Sequence, residues 1–498
     1  MNVKNSLSSR LWLGLFIGIF FPLSLNAQEL GLDEKLNEAF IPIALAWEAL
    51  VFSSISIGPL KVPIVLLILI LGACFFTAYF SFINIRLFPL AIQIVRGKFD
   101  KVERKEAEQS GISLRMGEVN HFQALTTAIS GTVGLGNISM VAVAISIGGP
   151  GASFWMIIAG LLGMSSKFVE CTLGVKYRDI DEQGKVFGGP MYYLSKGLKG
   201  KGYKKLGKVL AALFALLCVG ASFGGGNAFQ SNQAAAQLIQ RFEWQGSASG
   251  TILGIIFALL VGIVIIGGIK RIAKVSEKVV PFMAILYVLA ASYILLTNFS
   301  LIDDAFLLIL RGAFSPEATI SGGFAGVMIQ GFRRAAFSNE AGAGSAAIAH
   351  AAVHTHYPAS EGLVALLEPF IDTVVVCTMT ALVIIIFNLQ GIFTYGDVIN
   401  QEIALLSSGE RIGGVNLTSM AFDASLPGFS YVLAFAVVLF AFSSILSWAY
   451  YGSQAWAYLF GKSKKVDWAY KFIFLLFTVL GSAISLEAVI KFSEAMIL

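Results

Sequence analysis

Two stretches of the chain carry residue types that could hold ions with backbone atoms. One is TAISGTVGLGN, Thr127 to Asn137, and the other is FSNEAGAGSA, Phe337 to Ala346. Set side by side, they match Gly134-Leu135-Gly136-Asn137 with Gly342-Ala343-Gly344-Ser345. Glycine in a helix costs about 1 kcal/mol relative to alanine, and unpaired backbone is tolerated at membrane depth only where it lines a protein cavity. A helix broken at such a point offers N–H groups and a positive dipole end to a carboxylate, and free carbonyls to a cation. The competing reading is that small residues let helices pack closely. A phosphate loop at Gly131-x-x-Gly134-x-Gly136 is disfavoured, because the stretch is apolar and no Lys-Ser/Thr follows.

Other groups could complete such a site. FGGGNAFQSN, Phe223 to Asn232, reads as a third interruption, and Ser443-Ser444 offers adjacent hydroxyls. Hard oxygens suit a hard cation, although serines on a membrane helix also bond back to their own carbonyls. Glu340 lies inside an apolar run, where a charge is expensive unless paired or hydrated. Arg333 and Arg334 precede it closely enough for a fold-back pair, serving either gating or coupling, or structure alone. Glu368 and Asp372 stand four apart on one helix face, able to carry a proton or cation or to anchor polar contacts. Lys167 and Glu170 read as snorkelling residues near a span's end. His350, His354 and His356 lack a cysteine or carboxylate at ligand spacing, so no metal beyond a coupling ion is expected. Cys74, Cys171, Cys218 and Cys377 fall in apolar spans without CxxC spacing and read as buried structural thiols.

These residues must be positioned by membrane helices. The 498-residue chain is 56% hydrophobic and only 13% charged, against about 25% charged in soluble proteins. Its apolar runs reach the roughly 20 residues a span needs, which predicts an all-α polytopic membrane protein. Ten spans are expected near 62–85, 122–147, 150–177, 206–237, 249–268, 275–297, 319–352, 362–388, 429–460 and 468–488. The two glycine clusters then lie five spans apart, in opposite orientations. Matching interruptions in the two halves of a chain point to a transporter site. Basic loops follow spans one, three, five and nine, so these face the cytoplasm and residue 62 enters from outside. Residues 1–27 read as a signal peptide, with Lys4 and Arg10 before an apolar run and cleavage after Ala27. Residues 28–61 then form an exported segment, and 62–498 the transport domain.

The chain resembles the alanine or glycine:cation symporters, also called the sodium:alanine symporter family. The resemblance rests on FQALTTAISGTVGLGNI (Phe122 to Ile138), GGPGAxFW (Gly148 to Trp155), GGPMYYL (Gly188 to Leu194) and FRRAAFSNEAGAGSA (Phe332 to Ala346). It implies an inverted five-plus-five helix repeat with broken helices, as in neurotransmitter:sodium symporters, plus one extra N-terminal span. Spans two and seven would be the broken helices. By that resemblance Thr132, Gly134, Leu135, Gly136, Asn137, Gln230, Phe337, Ser338 and Asn339 would contact substrate, its carboxylate lying on the amides near Leu135 and Gly136. Ser130 and Val133 carbonyls with the Ser443 and Ser444 hydroxyls would hold sodium. The family typically has an eleventh helix, whereas the sequence stops at Leu498, just after the tenth expected span.

The resulting expectation is sodium-coupled import of alanine or glycine across a bacterial inner membrane, with sodium as the coupling ion and no cofactor. The partners are substrate, ion and lipid bilayer, without nucleic acid. Proton-coupled symport is the alternative. A channel would need rings of like charge or a repeated filter, and an enzyme a motif such as HExxH or GxSxG. The sequence has neither kind of signal.

Overall fold

The computed structural model describes residues 31–57, 60–109, 117–182, 184–244, 246–314 and 323–497. The leader at 1–27 and Arg115 of the first basic loop lie outside these residues.

Apolar runs fold as helices because a helix satisfies every backbone polar group within its own segment. Among the described residues, six helices are long and apolar enough to cross a bilayer: Gly151–Lys176, Lys204–Arg241, Gly268–Thr297, Pro358–Asn388, Phe429–Phe460 and Lys464–Ala483. The pair His121–Thr132 and Gly136–Gly148, bent by 48°, makes a seventh if taken as one span. The first and fifth expected spans are shorter apolar helices, Ile64–Tyr79 of 16 residues and Ser249–Ile265 of 17. The span expected at 319–352 is two pieces, Gly323–Asn339 and Ala346–His350.

The apolar pattern did not announce two further helices. Leu32–Val51 contains Asp33, Glu34, Lys35, Glu38 and Glu48, which interrupt its hydrophobic run. Leu486–Ile497 follows directly on Lys464–Ala483. The two pack together through Phe40 on Phe492, 5.0 Å between ring centroids, and through Trp47 Nε1 donating to the Ala495 carbonyl at 3.0 Å. Small antiparallel sheets sit at helix ends. The largest joins Phe393–Ile399, Glu402–Leu405 and Arg411–Gly413, against the outgoing half of the first broken helix.

Three π-helical segments fall on the glycine clusters or beside them: Gly136–Met140, Gly224–Ala228 and Phe370–Cys377. Such bulges leave backbone groups out of the regular ladder and gather at functional sites. The third expected interruption is therefore a π turn inside a helix that runs on from Lys204 to Arg241. Helix Gly151–Lys176 runs along the second broken helix, and Phe429–Phe460 along the first. One continuous hydrophobic core holds both.

Candidate functional site

The first break begins with a well-made helix. Asn120 accepts from the Gln123 amide at 2.8 Å, and the Gln123 side chain returns to the Asn120 amide at 3.2 Å. That capping box fixes the entry of His121–Thr132. Val133 then leaves helical geometry (φ −74°, ψ 81°). Gly134 is required here by close approach, since an added Cβ would lie 2.2 Å from Ser444 Oγ and 3.1 Å from Gln230 Oε1. The Leu135 amide donates to Gln230 Oε1 at 3.0 Å, and the Gly134 amide to Asn137 Oδ1 at 3.0 Å. Gln230 Nε2 donates to the Gly225 carbonyl at 3.1 Å, so one carboxamide ties the first break to the π turn of its neighbour. The side chains that accept from the Gly134 and Leu135 amides are both neutral carboxamides.

The serine pair divides. Ser443 Oγ donates back to the Phe440 carbonyl at 3.0 Å, while its own carbonyl accepts from Ser130 Oγ at 2.7 Å. Ser444 Oγ is fully buried, faces Gly134 and has no hydrogen-bond partner among the described residues. Thr132 bonds back to the Ala128 carbonyl at 3.4 Å, and the Val133 amide donates to the Ile129 carbonyl at 2.6 Å.

The second break is unwound outright. Glu340, Gly342 and Gly344 take left-handed φ values of 55°, 94° and 86°. For a glutamate that conformation costs on the order of 1–3 kcal/mol, and it persists only where surroundings enforce it. Glu340 Oε1 accepts from Trp448 Nε1 at 3.0 Å, and Oε2 accepts from the Ser345 hydroxyl. Glu170 Oε1 accepts from the Gly342 amide at 2.5 Å, so a protein carboxylate already sits on the free N–H groups of this break. Asn339 accepts from the Ala341 amide at 3.0 Å and donates to Thr373 Oγ1 at 2.9 Å.

Asp372 joins the two breaks. Its Oδ1 accepts from Asn137 Nδ2 at 2.6 Å, and its Oδ2 from Ser338 Oγ at 2.9 Å and Thr373 Oγ1 at 2.6 Å. The carboxylate is fully buried and these donors are neutral. Phe337 packs edge-on against Phe229, 5.2 Å between centroids.

Several expectations need correction. Lys167 and Glu170 do not snorkel, because Lys167 is 0% exposed and Glu170 7%. Lys167 pairs with Glu368 at 3.0 Å, in the interior. Arg333 and Arg334 do not fold back onto Glu340: both pair with Glu494, and Arg333 also reaches Glu48 at 3.3 Å. Glu368 and Asp372 serve different neighbours, because the π segment between them alters the four-residue spacing. His350 has carboxylate partners after all, Glu361 and Glu368, each at 2.5 Å. Cys74 is exposed, unlike the other three cysteines. Thr373, Trp448, Glu361 and Glu494 were missed as partners. A glutamate within the apolar LEAVIKFSEAMI was the available signal for Glu494.

Residues 50–498 match the sodium:alanine symporter family. The chain is similar to the sodium/alanine symporter AgcS of Methanococcus maripaludis, 37% identical over 86% of this chain and 88% of that one. It is 32% identical to the probable sodium/glutamine symporter GlnT of Bacillus subtilis, over 85% and 80% of the two chains. Among solved structures, MhsT in complex with L-phenylalanine superposes with a TM-score of 0.52 at 18% identity, covering 74% of this chain and 80% of that one. That likeness carries the fold alone.

Proposed function

The chain belongs to the sodium:alanine symporter family, and from that premise we propose that it imports a small neutral amino acid, alanine or glycine, together with sodium across a bacterial inner membrane. The observation that carries this reading is the Ser444 hydroxyl, buried and unpartnered among the described residues against the break at Gly134. In this proposal sodium takes Ser444 Oγ with the carbonyls of Ser130 and Val133. The substrate carboxylate takes the Leu135 amide from Gln230, exchanging one acceptor for a charged and stronger one. A neutral carboxamide can give up that bond cheaply. Asp372, with Asn137 and Ser338 from the two breaks, supplies the negative charge that balances a cation or the substrate ammonium.

The π turn that Gln230 bonds to is closely packed. An added Cβ at Gly225 would lie 2.2 Å from Ile497 Cδ1, and one at Gly226 2.1 Å from Trp448 Cγ. Glutamine is named for one relative and alanine for the family and for AgcS, and we take the smaller substrate. The basic loops place the inner halves, His121–Thr132 and Ala346–His350, toward the cytoplasm in this reading. A sodium gradient should accelerate labelled alanine uptake into proteoliposomes, with glycine competing and glutamine not. Uptake driven equally by a proton gradient without sodium would favour the proton-coupled alternative.

A further inference from the structure

The inner halves of the two broken helices are joined by a chain of buried ionisable groups that the substrate site does not use. His121, at the start of the first broken helix, bonds through Nδ1 to Glu361 Oε2. Glu361 Oε1 meets His350 Nδ1 at 2.5 Å, at the end of the second broken helix. His350 Nε2 meets Glu368 Oε1 at 2.5 Å, and Glu368 Oε2 pairs with Lys167 at 3.0 Å. Four of the five groups are fully buried, and His121 at 7% exposure is the end nearest solvent.

Proton bookkeeping constrains this chain. A neutral imidazole carries one N–H and one lone pair. Both nitrogens of His350 face carboxylate oxygens, so a neutral ring between two carboxylates would set a lone pair against a lone pair. One extra proton must be present, on His350 or on a glutamate. With that proton on His350, two carboxylates balance one ammonium and one imidazolium, while His121 donates as a neutral ring. We infer that this chain is a proton-binding site that locks the inner side: the closed arrangement holds one proton that the open arrangement releases to the cytoplasm.

The surrounding charges leave this assignment intact. Glu170 and Cys171 face Lys167 and Glu368 from the same helix as Lys167. Glu170 Oε1 accepts from the Gly342 amide, while its Oε2 is buried with no hydrogen-bond partner among the described residues. Glu340, from the second break, also faces Lys167, but its own oxygens are taken by Trp448 and Ser345. Tyr451 faces Glu368 and Glu340 from Phe429–Phe460. Arg178 faces Glu361, yet its guanidinium donates to the carbonyls of Ala351, Val353 and Thr355. Asp100 and Glu103 face His121 from the loop side. His354 is the neighbouring alternative, but burial, reinforced by Arg178, Lys270 and His121, lowers its proton affinity.

Opening the inner side carries both inner halves, His121–Thr132 and Ala346–His350, away from Pro358–Asn388, and so breaks the His121–Glu361, His350–Glu361 and His350–Glu368 bonds. A freed imidazole returns to an ordinary pKa of about 6.5 and loses the extra proton above that pH. The closed state then binds one proton more, so the opening constant rises up to about tenfold per pH unit above roughly pH 6.5. Below that pH both states keep the proton and the dependence ends.

The inference rests on the transport reading for its direction, but its test need not. Alanine exchange by the full chain in proteoliposomes should steepen from about pH 6.5 to about pH 8, approaching tenfold per unit, and His350→Gln should flatten it. On the same purified samples, amide exchange over residues 121–132, divided by the intrinsic rate at each pH, should show the same slope without alanine or sodium. Should His350→Gln not fold, Glu361→Gln must flatten the slope instead. Equal slopes in wild type and a folded variant, or no slope in wild-type amide exchange, would overturn the proton lock. Absent alanine exchange with an intact, variant-sensitive amide slope would instead sink the substrate reading alone.

Discussion

The two breaks in this chain share a glycine pattern and are built in opposite ways. The first keeps ordinary φ values at Gly134 and Gly136 and satisfies its amides with neutral Gln230 and Asn137. The second is forced into left-handed backbone at Glu340, Gly342 and Gly344, and carboxylates hold it there: Glu170 on an amide, Glu340 on Ser345 and Trp448. Neutral partners can be exchanged for a charged ligand at little cost. A buried carboxylate on a backbone amide cannot be displaced by another carboxylate without leaving a charge unsatisfied. The lesson is that matched motifs need not have matched roles: the first break is suited to exchange and the second to anchorage.

The largest effect should come from breaking the anchor. Glu170→Gln turns the charge-assisted bond from the Gly342 amide into a neutral one and buries an unpaired carboxamide N–H group, a combined cost of about 3 kcal/mol. Thermal unfolding of the purified variant should shift sharply downward, while alanine affinity in the surviving folded protein stays close to wild type. Lost affinity at unchanged stability would reverse the two roles.

Next comes Gly134→Ala. Its methyl group would meet Ser444 Oγ at 2.2 Å and Gln230 Oε1 at 3.1 Å, so sodium-dependent uptake should fall about a hundredfold, ~2.7 kcal/mol. Gly136 is the contrast. An added Cβ there lies 3.4 Å from Ser338 Cα, ordinary contact, so Gly136→Ala should keep uptake within about twofold. Equal loss in both would show that the glycines act through general packing rather than through one contact.

A smaller difference is expected within the serine pair. Ser444→Ala should raise the sodium concentration for half-maximal transport about tenfold, ~1.4 kcal/mol. Ser443→Ala, losing a bond back to Phe440 and a weak contact to Met283 Sδ, should raise it less than about threefold. Sodium dependence altered more by Ser443→Ala would move the ion away from Gly134.

Much of this architecture was legible in the residues. Apolar runs and glycine clusters are local signals, and they placed the helices and both breaks within a few residues. The partners of charged groups were not legible, because they depend on where distant segments meet. Read each on its own helix, Lys167 looks like an interfacial residue and Glu368 like a companion of Asp372, yet Lys167 and Glu368 meet at 3.0 Å in the interior. The same holds for Arg334 and Glu494, brought together by a final helix whose acidic residues hid it. The π turns were also invisible, since a single extra residue per turn leaves hydrophobic periodicity almost unchanged. One of them, over Phe370–Cys377, turns Asp372 toward Asn137 and Ser338 while Glu368 faces Lys167.

The central claim is that the Leu135 amide, now bonded to Gln230 Oε1 at 3.0 Å, is the group the substrate carboxylate takes over. Gln230→Glu tests it most directly by setting a near-isosteric carboxylate on that amide. Calorimetric titration of alanine in saturating sodium, on monodisperse protein, should show affinity reduced by at least about a hundredfold, ~2.7 kcal/mol, because two carboxylates cannot share one donor. Alanine binding within about threefold of wild type, ~0.7 kcal/mol, in that folded variant would contradict the claim and place the carboxylate elsewhere.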